Sequence, residues 1–283
     1  MRLADPVDQA TGLRRLFASG PAFRAAGVLG PDARRNARVC AALAQGLSRR
    51  GNRVLVLDEA RPPYNVGGML GVLSRHSLAD APRMQLEDVA VGTTAGVHLL
   101  AAQQGLQELA GLSEQALLEL ADGWAGDAPE WMLLNGRGEG AHGGGLAATA
   151  DLRVLVLPGG KDWLAQAYAV LKTAHAAWSG GEWLVLVEGL DLEAAQRLYA
   201  SLRETASRFL GFAPAYLGCL PKHRDGQGGG DDPHAGLLAE ALQSARIENP
   251  ANFEQYWQRM WLFSRMNLDA AGRKSRNAER HPG

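Results

Sequence analysis

Residues 28–37 read VLGPDARRNA and lie where a nucleotide-binding α/β protein has its phosphate loop. An apolar stretch precedes them, and an alanine-rich helical stretch follows. The loop itself has one glycine, one proline and two arginines, but no lysine followed by Ser or Thr. A working phosphate loop turns backbone N–H groups toward the anion with several glycines and adds that lysine and hydroxyl. The stretch therefore predicts the position of a phosphate loop without its usual chemistry.

Apolar runs of strand length alternate with helical stretches along the rest of the chain. Several runs are continuous, as expected for strands that are covered on both faces. The runs lie at 22–29, 53–57, 97–101, 131–134, 153–157, 183–187 and 215–217, and the helical stretches at 37–50, 113–122, 163–177 and 193–209. This alternation predicts an α/β fold, a mostly parallel sheet with helices on both faces.

The composition is that of a globular chain with almost no net charge. A formal charge of −1 over 283 residues predicts no general attraction to nucleic acid. Cys40 and Cys219 stand alone in the sequence, which indicates neither a zinc site nor a disulfide framework and favours the cytoplasm. The first fifteen residues carry too many charges for a signal-peptide core, and no apolar run is long enough to span a bilayer. We expect a cytoplasmic protein with no metal site.

The order of motifs resembles that of the MinD/ParA family of deviant phosphate-loop ATPases, and within it the flagellar-number regulators FlhG and FleN. Three stretches carry the general likeness: SRRGNRVLVLDEARPPYNVGGMLG (48–71), AYAVLKTAH (167–175) and YASLRETASRFLGFAPAYLGCLP (199–221). A fourth, DQATGLRRL (8–16), is similar to the N-terminal DQAxxLR signature of the flagellar regulators. The resemblance implies a deviant P-loop NTPase fold of the MinD/ParA type.

The same resemblance implies that the phosphate loop has lost its working residues. With the family's RRG motif aligned to residues 49–51, its loop KGGVGKT falls on residues 31–37. Pro31 then replaces the signature lysine, Asn36 the phosphate lysine, and Ala37 the magnesium-binding hydroxyl. Proline has no N–H to donate, while asparagine and alanine neither offset phosphate charge nor hold magnesium.

The acidic positions of the family are altered as well. Asp58 remains, but Ala60 stands at the second aspartate and Asn135 at the magnesium-linked aspartate. Glu188 falls, in a looser alignment, at the asparagine on the adenine side. Phosphoryl transfer depends on these charges, so we expect a pseudo-ATPase with no cofactor, neither ATP nor Mg²⁺. The degenerate nucleotide site predicted in this way comprises Gly30, Pro31, Arg35, Asn36, Ala37, Asp58, Ala60 and Asn135.

Two alternatives stay open at this point. Arg34 and Arg35 lie near a helix start, where an anion can bind. The chain would then be an ATP-binding or weakly active ATPase with an altered loop. The second alternative is a scaffold that pairs with an ATP-competent paralogue.

The N-terminal segment, residues 1–20, is the predicted partner-binding element. Asp5 and Pro6 are typical of a helix start, and residues 7–17 carry an apolar stripe. In the flagellar regulators the DQAxxLR segment activates FlhF, a GTPase of the signal-recognition-particle type. The resemblance therefore implies an FlhF-type GTPase as partner, beside other flagellar regulators. The positions carried over are Asp8, Gln9, Ala10, Leu13 and Arg14.

Residues 249–283 follow the predicted α/β domain, residues 21–248, and form the third predicted unit. Phe253, Trp257 and Trp261 share one side of a predicted helix, which favours packing on the protein or on a partner. A weak membrane-surface contact is the alternative, because aromatic and basic residues occur together here. We expect the basic run 270–283 to be disordered. Attachment through this unit or through partners would place the protein peripherally at the inner membrane or cell pole.

Overall fold

The computed structural model describes residues 23–124, 128–137, 142–160, 162–221, 233–248 and 250–280. Their strands form one eight-stranded sheet in the order β3-β4-β2-β5-β1-β6-β7-β8. The strands are β1 (Arg24–Leu29), β2 (Val54–Asp58), β3 (Val91–Gly92), β4 (Val97–Ala101), β5 (Trp131–Asn135), β6 (Leu152–Pro158), β7 (Glu182–Glu188) and β8 (Ala215–Leu220). Only β3 pairs antiparallel among these strands, so the predicted α/β fold with a mostly parallel sheet is confirmed.

Helices cover both faces of this sheet. They are α1 (Ala33–Arg49), α2 (Val66–Leu70), α3 (Leu86–Val89), α4 (Gly105–Ala110), α5 (Glu114–Trp124), α6 (Trp163–Ala177), α7 (Leu192–Leu210), α8 (Pro233–Ser244) and α9 (Phe253–Arg280). Short 3₁₀ segments lie at Ala81–Arg83 and His142–Thr149. One core layer joins the sheet to α1 and α8. The other joins it to the segment His142–Thr149 and to α4, α5, α6, α7 and α9.

Continuous burial explains why the strands lack alternation in the sequence. All seven residues of β6 are buried, Arg153 among them. The Arg153 guanidinium donates to the carbonyl oxygens of Trp178 and Gly181 at 2.6 Å each, and it lies 4.4 Å from the centroid of the Trp183 ring. A buried cation is tolerated here because its two terminal nitrogens donate hydrogen bonds and its face meets an aromatic ring.

The sequence-based element bounds agree with the structure except in a few places. The two-residue β3 was not predicted, because it is too short to show a periodic pattern. Helix α1 begins at Ala33 instead of residue 37, since Asp32 caps it and accepts the N–H of Arg35 at 3.1 Å. The described end of the glycine-rich stretch 136–145 is helical from His142 and buried at Gly145.

The predicted boundary after residue 248 is wrong, because α9 is part of the domain core. Its aromatic side chains are buried, with Phe253 8%, Trp257 0% and Trp261 9% exposed. Trp257 meets Trp124 of α5 edge-on, with ring centroids 5.3 Å apart. These three side chains therefore serve packing within this chain, not a membrane surface. The helix also continues to Arg280, where the sequence predicted a disordered tail.

None of the helices in the described part of the chain combines the length and apolar character that crossing a bilayer requires.

Candidate functional site

The predicted site residues from three strands meet at one edge of the sheet. The loop at Gly30 follows β1, Asp58 ends β2, and Asn135 ends β5. Since these strands are parallel neighbours, their carboxyl ends share an edge, which is where open α/β sheets bind ligands. Glu188 ends β7 at the same edge. The structure thus brings the predicted degenerate nucleotide site together.

The phosphate-loop position is filled by the chain's own side chain. Asn36 is fully buried and its Nδ2 donates to the carbonyl oxygen of Gly30 at 3.0 Å. A Cβ atom added at Gly30 would lie 2.4 Å from the Asn36 Oδ1, so the two residues are in tight contact. Pro31 and Ala37 are buried beside them. The neutral amide of Asn36 is therefore held against the backbone of the loop at Gly30, at the position where the resemblance implies a phosphate-binding lysine.

The arginine expected to attract an anion is already paired. Arg35 and Arg38, both on α1, form ion pairs with the two carboxylate oxygens of Glu188. Asp32 lies 3.4 Å from the Nε of Arg35, and Arg38 also donates to the carbonyl oxygen of Pro221 at 3.3 Å. The guanidiniums of Arg35 and Arg38 thus pair with the carboxylates of Asp32 and Glu188, so the cluster of these four side chains has no net charge.

The carboxylate of Asp58 accepts hydrogen bonds from backbone N–H groups and from a side-chain amide. Its Oδ2 accepts the backbone N–H groups of Val66 and Gly67 at 2.6 and 3.3 Å. Its Oδ1 accepts from Ala60 N at 3.2 Å and from Asn135 Nδ2 at 2.9 Å. Burial raises the pKa of the Asp58 carboxyl, and these hydrogen bonds oppose that rise. The carboxylate therefore anchors the start of α2 and the end of β5.

Glu59 is a buried acid that the sequence analysis missed. Its side chain has no exposed surface, and its Oε2 accepts the N–H of Leu146 at 2.8 Å. Burial raises the pKa of Glu59 to about 8, a shift that the nearby charge of Arg137 opposes. The motif LDEA (residues 57–60) could have indicated this position, because neighbouring residues at the end of a strand point to opposite faces of the sheet. Asp58 faces α1, while Glu59 holds the segment His142–Thr149.

Uncharged side chains stand at the positions that the resemblance implies for phosphoryl transfer. The lysine and hydroxyl positions hold Asn36 and Ala37, and the Asp58 carboxylate faces an amide instead of a second acid. Across the described ranges, no group of three or more His, Cys, Asp or Glu side chains is placed to hold a metal ion.

The predicted partner-binding positions Asp8, Gln9, Ala10, Leu13 and Arg14 lie outside the described residues. The described chain begins at Phe23, just before the amino end of β1 and so at the sheet edge opposite the phosphate-loop position. The ring of Phe23 contacts Phe253 and Tyr256 of α9, with centroid distances of 5.4 and 5.6 Å. Phe23, three residues after the end of the predicted segment 1–20, therefore packs on the core.

Comparison with known proteins finds one related sequence of known role. The antiactivator FleN of Pseudomonas aeruginosa is 27% identical over 185 residues, which cover 63% of this chain and 66% of FleN. The match thus spans a little less than two thirds of the length of FleN. No protein-family model matches the chain.

Solved structures share the fold at low sequence identity. A chain of the MinC:MinD cell division complex of Aquifex aeolicus matches with a TM-score of 0.57 and 14% identity, over 81% of this chain and 99% of that one. The ParA family ATPase of Chlorobium tepidum matches with a TM-score of 0.53 and 13% identity, over 86% and 99%. The cell division ATPase MinD of Pyrococcus furiosus gives 0.52 and 15%, over 84% and 98%. These matches show that the chain shares the fold of the MinD and ParA family ATPases.

Proposed function

We propose that this chain is a non-catalytic, FlhG-like regulator of flagellar biosynthesis and placement. The observation that carries the proposal is the closed phosphate-loop position, where Asn36 occupies the loop and Glu188 pairs with Arg35 and Arg38. The similarity to the antiactivator FleN supports a regulatory role. A regulator of this kind acts through protein contacts and not through ATP turnover.

Electrostatics at the loop supports the lack of ATP chemistry. Arg35 and Arg38 are already paired with the buried carboxylate of Glu188, so neither guanidinium is free to offset the charge of a triphosphate. The chain also has no lysine at position 36 for that purpose. In this proposal ATP and Mg²⁺ are not cofactors of the chain.

The partner in this proposal is an FlhF-type GTPase, which the chain stimulates through residues 8–14. Leu13 and the apolar stripe around it anchor the segment on the GTPase. Gln9 orients the attacking water, and Arg14 offsets charge that develops on the phosphate. The position of Phe23, the first described residue, is compatible with this arrangement, because Phe23 lies at the sheet edge away from the loop at Gly30. Stimulation would then need no nucleotide on the regulator.

The test is GTP turnover by the purified FlhF-type GTPase, alone and with the full chain. We expect wild-type protein to accelerate turnover and both Gln9→Ala and Arg14→Ala to abolish the acceleration. Thr11→Ala is the matched control, because Thr11 lies in the same segment at a variable position of the DQAxxLR signature. No stimulation by the full wild-type chain would refute the proposal.

A further inference from the structure

A groove opens at the amino ends of β7 and β8, at the sheet edge opposite the phosphate-loop position. Its volume is about 570 Å³, within the range of about 300–1,000 Å³ that is typical of ligand pockets. The side chains that line this amino-edge groove include His175, Trp183, Phe212, Ala213, Ala215 and Ala245. The degenerate nucleotide site lies at the other edge of the sheet, so the groove is a separate surface of the domain.

Buried contacts hold the walls of the amino-edge groove in place. The Arg153 guanidinium lies against the ring of Trp183 and donates to two carbonyl oxygens of the turn 178–181, which forms one wall. The rings of His175 and Phe212 lie 4.5 Å apart between centroids. Trp183 is only 4% exposed, and its Nε1 has no hydrogen-bond partner among the described residues. Buried polar atoms nearly always have a partner, so a segment that brings backbone carbonyls suits this groove.

The described chain starts beside the amino-edge groove. Strands β1, β6 and β7 are neighbours in the sheet, so the amino end of β7 lies about 10 Å from that of β1. Arg24, the first residue of β1, donates at 3.1 Å to the carbonyl oxygen of Ala245, which lines the groove. Six residue steps separate Phe17 from Phe23, and each step of an extended chain spans up to about 3.5 Å. Phe17 is therefore within reach of the groove.

The segment that precedes Phe23 complements the groove in apolar and charged character. Residues 7–17 carry the apolar stripe, and two arginines follow each other at 14–15. The groove is lined by apolar side chains and carries two exposed acids, Glu182 and Glu248, beside one exposed cation, Arg246. Burial of the stripe would supply most of the affinity, because exposed ion pairs contribute little. The excess of acids favours a basic segment over an acidic one.

We propose that residues 7–17 of this chain dock in the amino-edge groove and are released when a partner competes for them. The docked state and the partner-bound state use the same apolar stripe, so each excludes the other. A short tether gives an effective concentration on the order of millimolar, so a contact with an intrinsic Kd of about 0.1 mM is occupied about nine tenths of the time. The regulatory consequence rests on the proposed GTPase stimulation, whereas the docking itself does not.

The test is protection of the segment against trypsin in the folded, full-length protein. Cleavage after Arg14 and Arg15 is timed by mass spectrometry in wild type, Ala215→Trp and Ala165→Trp. Ala215 is exposed and lines the groove, so the indole fills the space that the segment would occupy. We expect Ala215→Trp to be cleaved at these two bonds about tenfold faster than wild type, because the undocked fraction rises from about one tenth to nearly one. Ala165→Trp, at an exposed position near the start of α6, is the matched control and should keep the wild-type rate.

Equal cleavage rates in wild type and in a folded Ala215→Trp, verified by circular dichroism, would overturn the proposal. Faster cleavage of Ala165→Trp would overturn it as well, since a bulky side chain anywhere would then suffice. If Ala215→Trp does not fold, Ala213→Trp decides in its place, because Ala213 is also exposed and lines the groove. Proteolysis needs no GTPase, so its result and that of the turnover assay are independent. In that assay, Ala215→Trp should reach half-maximal stimulation at about a tenfold lower concentration than wild type.

Discussion

Asn135 and Asp58 are register partners on β5 and β2, and the amide of Asn135 donates to the carboxylate of Asp58 at 2.9 Å. An uncharged donor thus stands where the MinD/ParA resemblance implies a second, magnesium-linked acid. Asn135→Asp would place two buried carboxylates against each other with no cation between them. We expect the free energy of unfolding to fall by about 3 kcal/mol at pH 8, measured by urea denaturation.

The loss should shrink at pH 5, because the two carboxylates can then share a proton. Asn135→Ala is the control, since it removes the donor without adding charge and should cost about 1–2 kcal/mol with little pH dependence. Equal stability of Asn135→Asp and wild type at pH 8 would contradict this account of the pair.

Glu59 makes stability depend on pH in a predictable direction. Its pKa is raised from 4.5 to about 8 by burial, so the folded state binds the proton more tightly than the unfolded state does. The stabilisation from this proton is fully present below pH 4.5 and is lost as the pH rises through 8. Between these values the contribution falls by about 1.4 kcal/mol per pH unit.

Glu59→Gln removes this titration, so its stability relative to wild type should rise steadily from pH 5 to pH 8. Chemical denaturation across that range measures the difference. Glu204→Gln, an exposed position on α7, is the control and should follow the wild-type curve. A constant difference between Glu59→Gln and wild type over the whole range would show that Glu59 does not titrate there.

The sequence predicted the sheet well because covered parallel strands leave long apolar runs between helical stretches. The resemblance to the MinD/ParA family predicted one site for Gly30, Asn36, Asp58 and Asn135, and these four residues lie at the same edge of the sheet. What it missed depends on contacts between distant positions. The pairing of Arg35 with Glu188 joins residues 153 positions apart, and no local pattern reveals it.

Burial of α9 was hard to predict for a related reason. An aromatic stripe at helical spacing has the same appearance whether it meets a membrane, a partner or its own domain. Only the tertiary structure shows that Trp257 packs on Trp124. The sequence predicted disorder for 270–283, because composition alone does not show that a helix continues to Arg280 from a packed base at residues 253–264.

Packing of α9 predicts a large loss of stability on truncation of Trp257. This side chain is fully buried, so Trp257→Ala should lower the free energy of unfolding by about 3–5 kcal/mol. Leu262→Ala is the control on the same helix, because 52% of Leu262 is exposed and its loss should change stability by no more than about 0.5 kcal/mol. Urea denaturation measures both, and similar effects of the two variants would argue against α9 as core.

ATP should leave the stability of the protein unchanged. A ligand present at about 100 times its Kd adds about 2.7 kcal/mol to the folded state, which raises the melting temperature measurably. We expect no saturable rise with ATP and Mg²⁺, because Asn36 fills the loop and Glu188 engages the arginines. A titration with magnesium chloride alone gives the baseline. A saturable rise at micromolar ATP would favour the alternative of an ATP-binding protein.

Gly145 and Glu59 are in such close contact that a methyl group added at Gly145 would collide with the Glu59 carboxylate. Gly145 has a φ of +63°, and a Cβ atom there would lie 2.5 Å from the Oε2 of Glu59, so Gly145→Ala meets both backbone strain and a collision. We expect a loss of about 2 kcal/mol or more in the free energy of unfolding, measured by urea denaturation.

Gly123→Ala is the matched control. Gly123 lies in α5, a Cβ atom there would meet no atom within 4 Å, and alanine stabilises a helix by about 1 kcal/mol relative to glycine. The collision involves the Glu59 carboxylate, so the double variant Gly145→Ala/Glu59→Ala should be less destabilised than the sum of its single changes. Strict additivity would instead assign the whole effect to the backbone of Gly145.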